Sequence, residues 1–158
     1  GLAREETIKV EVNLEENTPL LPLVRVEIDS LDDDGELVRA AAVSYDINEM
    51  LGTKTRALLQ REQGRDLFDL VHAWRLSEAG KTPFHVDGAK AMEALSWYLA
   101  KENQRVRKSE ANAKLDEHLR NASFRRDMDT LLRRELGRFD VEEAAAVVRV
   151  AYFEHLEA

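Results

Sequence analysis

The first 45 residues read as strands, and two of the segments alternate apolar and polar side chains with period two, the pattern of strands that bury one face and wet the other. In Ile8-Lys9-Val10-Glu11-Val12-Asn13, the residues Lys9, Glu11 and Asn13 share one face of a predicted strand. Leu23–Asp29 repeats the pattern, with Val24, Val26 and Ile28 opposite Arg25, Glu27 and Asp29, and Leu37–Ser44 is a third candidate. Pro19 and Pro22 break the chain between the first two strands, because proline donates nothing to a ladder. The tract Asp32-Asp33-Asp34-Gly35 offers a tight turn, since Asp-Gly suits positive φ. A calcium loop fits it poorly: Ser30 stands at the first ligand position and Ala41 where a bidentate Glu is needed.

From Asp46 onward the apolar spacing becomes helical. Asp46 and Glu49 resemble a capping box, and Gly64 is expected to end that first helix. A second helix is predicted from about Asp66 to Ala79, closed by Gly80, with Pro83 just beyond. Asp87 opens a third, whose apolar surface comes from Met92, Leu95, Trp97, Tyr98 and Leu99. Shorter helices are expected over 109–120 and 124–136. Asp140 and Glu143 cap a last helix in which Val141, Ala144, Ala145, Val148, Tyr152 and Leu156 recur at helical spacing. Three strands followed by six helices predict an α+β fold, with short N-terminal antiparallel strands lying against the first of a mainly helical C-terminal region. There is no internal repeat.

Composition narrows the class. The chain has 158 residues, 44% hydrophobic and 34% charged, and its length supports one ordinary core. The longest apolar run, Ala144–Val148, is far short of a membrane span, and no signal-peptide pattern is present. There are no cysteines, which excludes a disulfide framework and a thiolate metal site. A cytoplasmic protein that does not engage membranes is the expectation. The net charge of −8 is uneven: residues 1–50 hold 4 basic and 13 acidic side chains, whereas residues 101–138 hold 11 basic and 7 acidic. That basic stretch reads as a phosphate-facing surface or, more plainly, as a solvated helical face.

One position breaks the helical pattern. Ile47, Met50, Leu51 and Leu58 cluster on one face of the first helix, and Lys54 falls within that apolar stripe, with Arg61 on the same side. A buried ammonium is costly unless paired, so a local violation of this kind points to function. The alternative is a lysine that snorkels its amine to water. Asp66 and Asp69 share a side of the next helix, and the short connection at Gln63-Gly64 places them opposite Lys54 and Arg61. Arg65 and Asp69, four residues apart, are spaced to pair. Cations of this kind hold phosphates, and the carboxylates fix them, bind a divalent ion or accept a proton. A purely structural ion-pair network is the competing reading. His72, His85, His118 and His155 lack ligand spacing and read as surface or packing residues.

The run Tyr45-Asp46-Ile47-Asn48-Glu49-Met50-Leu51-Gly52-Thr53-Lys54-Thr55-Arg56-Ala57-Leu58-Leu59-Gln60-Arg61, followed by Gly64-Arg65-Asp66-Leu67-Phe68-Asp69-Leu70, resembles the AbiEii/AbiGii-type nucleotidyltransferases. These are toxin partners in abortive-infection and toxin–antitoxin systems, with a polymerase-β-like core. The resemblance runs over nearly the whole chain, including Asn121-Ala122-Ser123-Phe124-Arg125-Arg126-Asp127 and Phe139-Asp140, with its weight in 45–70. It implies that residues 1–45 are the strand-rich remainder of the nucleotidyltransferase core and that 46–158 form the helical domain. It implies further that Lys54 and Arg61 bind the nucleoside triphosphate and that Asp66 supports or activates the reacting group. Arg65 and Asp69 would hold the motif, and Glu11 would belong to a Mg²⁺ site.

The family's first motif, Gly-Ser followed by Asp-x-Asp, is absent. Asp32/Asp34 and Asp127/Asp129 have no Gly-Ser upstream and occur in the wrong order. With a first residue Gly1 rather than Met, the expectation is a C-terminal portion of a longer enzyme, inactive alone because most metal carboxylates lie elsewhere. The intact protein would transfer a nucleotide from an NTP to an acceptor such as tRNA and pair with an antitoxin. The alternatives are a non-catalytic binding or regulatory module of the same descent, and a metal-dependent nuclease built on Glu27 and Asp29.

Overall fold

The computed structural model describes residues 18–32, 34–129 and 139–158. The expected strand at Ile8–Asn13, and Glu11 with it, lies outside these residues. Among them, two antiparallel strands precede six α-helices, as the α+β expectation has it. Strand β1 (Val24–Leu31) pairs with β2 (Leu37–Ser44) in the register Val24↔Ser44 to Leu31↔Leu37. Asp32 makes the turn: its Oδ1 accepts from the amides of Asp34 and Glu36 at 3.0 and 2.8 Å, and Gly35 takes φ +82°. The six helices are α1 (Ile47–Gln60), α2 (Gly64–Glu78), α3 (Gly88–Lys101), α4 (Lys108–Arg120), α5 (Ala122–Arg126) and α6 (Val141–Ala151). A 3-10 turn at Phe153–His155 follows. No helix among the described residues is long and apolar enough to cross a membrane.

Caps locate most boundaries. Asp46 accepts from the Asn48 amide, Asp87 from those of Ala89 and Lys90, and Asp140 from that of Glu143. Each satisfies donors that have no partner inside the helix. Two expectations need correction here. Gly64 does not end α1; the helix stops at Gln60, Arg61 turns extended, and Gly64 begins α2. The helix expected over 124–136 begins earlier, because Asn121 caps the Ser123 amide, and after Arg126 the described chain tightens to a turn with Asp129 N bonding Arg126 O. Residues 130–138 lie outside the described set.

The core is helical. Leu58 of α1, Leu67 and Leu70 of α2, Leu95 of α3, Leu115 of α4 and Val148 of α6 are fully buried around Phe124, Tyr152 and Phe153. Gly52 lets α1 approach α3 closely: a Cβ there would stand 2.6 Å from the Ala91 carbonyl and 2.8 Å from the Ala94 Cβ. That contact, with α2 on the other flank, uses the buried surface of α1. The strands consequently do not lie against the first helices. Both faces of the hairpin are largely exposed, including its apolar side with Val26, Ile28 and Val38.

Among the described residues, Glu49 ties the segment before β1 to the helices, and Lys101 Nζ adds a bond to the Thr18 carbonyl at 3.1 Å. Glu49 does not reach back to Asp46 as a capping-box acid would. Its carboxylate is buried and accepts from the amides of Leu20 and Leu21 at 2.8 and 2.7 Å and from the Tyr98 hydroxyl at 2.6 Å. Three donors on a carboxylate replace much of its lost hydration. Replacing Glu49 by Ala strands those donors and is expected to cost about 2–4 kcal/mol in urea denaturation, with Gln recovering part of it. A loss below about 0.5 kcal/mol would show that the clamp contributes little.

Candidate active site

Asp66 is the centre of the charged cluster. It stands on the first turn of α2, facing α1, and its side chain has no solvent exposure. Lys54 Nζ donates to its Oδ1 at 3.2 Å. Arg61 binds it in a fork, Nε to Oδ2 at 2.9 Å and Nη2 to Oδ1 at 3.1 Å. Lys54 also reaches Asp69 Oδ2 at 2.9 Å. The two cations and two carboxylates anticipated from the helix pair therefore meet. Lys54 is one-third exposed, Arg61 and Asp69 about half exposed, so the network runs from the buried Asp66 outward to water.

Burial alone lowers the Lys54 pKa, yet hydrogen bonds and charge from Asp69 and then Asp66 outweigh it and raise it above its ordinary value. Arg61 is likewise raised, chiefly by its hydrogen bond to Asp66. Both cations keep donors that meet no acceptor among the described residues, since Lys carries three and Arg five. An anion arriving at the open side finds those donors.

Arg65 departs from expectation. Its guanidinium bonds Gln63 Oε1 at 2.8 and 3.1 Å rather than Asp69, whose carboxylate is already held by Lys54. Its amide donates to Asp127 Oδ2 at 3.1 Å. Glu27 and Asp29, the nuclease candidates, are exposed on β1 beside Arg25 and Arg39. Of the basic stretch, Lys108, Lys114 and Arg125 are paired with Glu154, Glu117 and Glu142, so charge counting overstates what it offers a ligand. The described residues contain no group of three or more His, Asp or Glu suited to a metal ion; both oxygens of Asp66 and Oδ2 of Asp69 already serve cations.

Several supporting residues were hidden from sequence reasoning. Asn121 donates to Glu62 Oε2 at 2.6 Å, and Gly64 packs so tightly on the Phe124 carbonyl that no Cβ fits. The glycine at the start of α2 was a readable sign of that close approach; the Asn121 bond, 59 residues apart, left none. His118 is fully buried and stacked 5.3 Å from the Phe124 ring; among the described residues neither ring nitrogen makes a hydrogen bond, and Nδ1 stands 4.0 Å from Glu62 Oε1. It is a packing histidine.

The fold and the site together define an α+β protein with a charged, anion-compatible centre on a helix pair. The model of the nucleotidyl transferase AbiEii toxin family, a type IV toxin–antitoxin system, matches residues 2–154, and the chain belongs to that family. No curated protein and no solved structure matches it. Family membership implies a nucleoside triphosphate as substrate and an antitoxin as partner.

Burial lowers the His118 pKa, with Lys114 adding to the shift against a smaller opposing pull from Glu62. The unfolded chain therefore takes up a proton near pH ~6.5 before the folded one does, and stability present above that pH declines as pH falls below it. Thermal unfolding between pH 7 and 5 is expected to show a shallower pH slope in His118→Leu than in the wild type. Identical slopes would assign the dependence to other groups.

Proposed function

We propose that the helix pair α1–α2 is the triphosphate-facing half of the nucleotidyltransferase site, with Lys54 and Arg61 contacting the phosphates. The observation that carries this reading is Lys54 itself: a one-third-exposed ammonium beside the buried face of α1, held by Asp66 and Asp69, with one donor beyond those two bonds. Among the described residues, both oxygens of Asp66 accept from Lys54 and Arg61, through three hydrogen bonds in all. That favours a supporting role over proton abstraction. Asp69 holds Lys54 from the exposed side, and Arg65 belongs to the turn that presents Asp66.

The division into a strand-rich part, 1–45, and a helical domain, 46–158, is part of the same proposal. So is a cytoplasmic location. The acceptor is taken to be an RNA 3′ end, such as that of tRNA. A divalent ion, Mg²⁺ by this reading, does not fit Asp66 and Asp69 as they stand, because both serve cations. Glu11 is proposed to join carboxylates of a Gly-Ser…Asp-x-Asp motif that this sequence lacks. The 158 residues alone are then expected not to turn over.

The test is nucleotide incorporation by the full-length protein. Lys54→Ala and Asp66→Ala are each expected to lower kcat/KM by about 100-fold or more, consistent with losing pre-organised charge stabilisation. Folding should persist in Lys54→Ala, because Asp66 keeps its Arg61 fork. Undiminished activity in both variants would reduce the quartet to a structural ion-pair network and leave the non-catalytic module as the better account.

A further inference from the structure

We propose that Asp127 is a positioning residue for the Lys54–Asp66–Arg61 cluster, acting as a cap supplied to α2 from the far end of α5. The inference rests on the proposed function for its effect on turnover, and on geometry alone for the rest.

Helix α2 lacks a cap of its own. Gln63 stands at its N-cap with no side-chain capping bond, and its amide oxygen instead accepts from the Arg65 guanidinium. Four leading amides of a helix need acceptors, and the helix start carries partial positive charge. The acceptor that arrives is Asp127 Oδ2, 3.1 Å from the Arg65 amide and 62 residues along the chain. It reaches there because Gly64 lets α5 press on the first turn: an added Cβ would collide with the Phe124 carbonyl and lie 3.2 Å from the Asp127 Cβ. Asn121 ties the same connection from the other side through Glu62.

Asp66 is the residue after Arg65, in that same first turn. A frayed turn swings its carboxylate away from α1, and Lys54 and Arg61 lose the acceptor that holds them. Asp127 touches neither cation in the described contacts, so its influence passes through the backbone of α2. A local cap at position 63 would serve stability equally well; a cap supplied by α5 also makes the charged cluster depend on how α5 is seated.

Hydrogen exchange and the Lys54 ammonium nitrogen resonance, both followed by NMR on the full chain, test this without any reaction. In Asp127→Ala the Arg65 amide is expected to exchange about tenfold faster, as for a lost cap. The Lys54 resonance should move toward that of a solvated lysine, while amides of α3 are unchanged. Asp127→Asn keeps an acceptor oxygen but not the charge; about a threefold acceleration and a retained Lys54 contact are expected. An unmoved Lys54 resonance in Asp127→Ala, even with a lowered Tm, makes Asp127 merely structural and overturns the proposal. Should the Ala variant not fold, an Arg65 amide in Asp127→Asn no faster than in the wild type overturns it as well. Undiminished activity in both Lys54→Ala and Asp66→Ala would defeat the proposed function and leave the Asp127 readouts untouched.

Discussion

A carboxylate taken wholly out of water loses several kcal/mol of hydration that the protein must replace, and Asp66 is such a group. Its replacement shell is an ammonium from α1 and a guanidinium from the turn after α1. This requirement fixes the relative placement of the two helices more strictly than apolar packing does. Leucine packing carries no direction of its own, whereas a forked Arg–carboxylate pair adds geometric specificity. The close approach at Gly64, the Asn121–Glu62 bond and the Asp127 cap all act on the short segment that has to hold this arrangement.

Stability does not explain why such a cluster is present. Buried ion pairs are often matched or bettered by hydrophobic residues of similar volume. Leu51, Leu58, Leu67 and Leu70 are buried in the same two helices, so an apolar side chain is the ordinary occupant of a buried position there. A charged network kept where leucines would serve is better understood through what the charges do at its exposed end. Membership of a nucleotidyltransferase family supplies a ligand of the right sign.

How much of this could be read in the sequence depended on how far apart the partners stand. Lys54 was visible because it violates a helical stripe, and Asp66 and Asp69 because they follow within one turn of a short connection. The caps at Asp87 and Asp140 and the β-turn at Asp32 are equally local. Glu49 was misassigned: its spacing from Asp46 suits a capping box, but its acceptors were claimed by Leu20, Leu21 and Tyr98, 28 to 49 residues away. Arg65 was misdirected for a similar reason, since Asp69 had a better partner in Lys54. Period-two alternation placed the first described strand, yet it says nothing of what covers its apolar side. Local pattern records which residues share a face, and only packing decides what that face meets.

The four charges are not equally free to change partners. Asp69 is about half exposed, so releasing Lys54 returns its carboxylate to water at small cost. Asp66 has no such route, because without its cations it would be a bare buried charge. If a triphosphate enters as proposed, the Lys54–Asp69 pair is therefore the one that opens. Lys54 can turn one donor to a phosphate oxygen while keeping another on Asp66, and Arg61 can hold its fork and offer its outer edge. Asp69 then acts as a competitor that sets how tightly an anion must bind to displace it. Asp66 stays fixed, and the cations pivot on it.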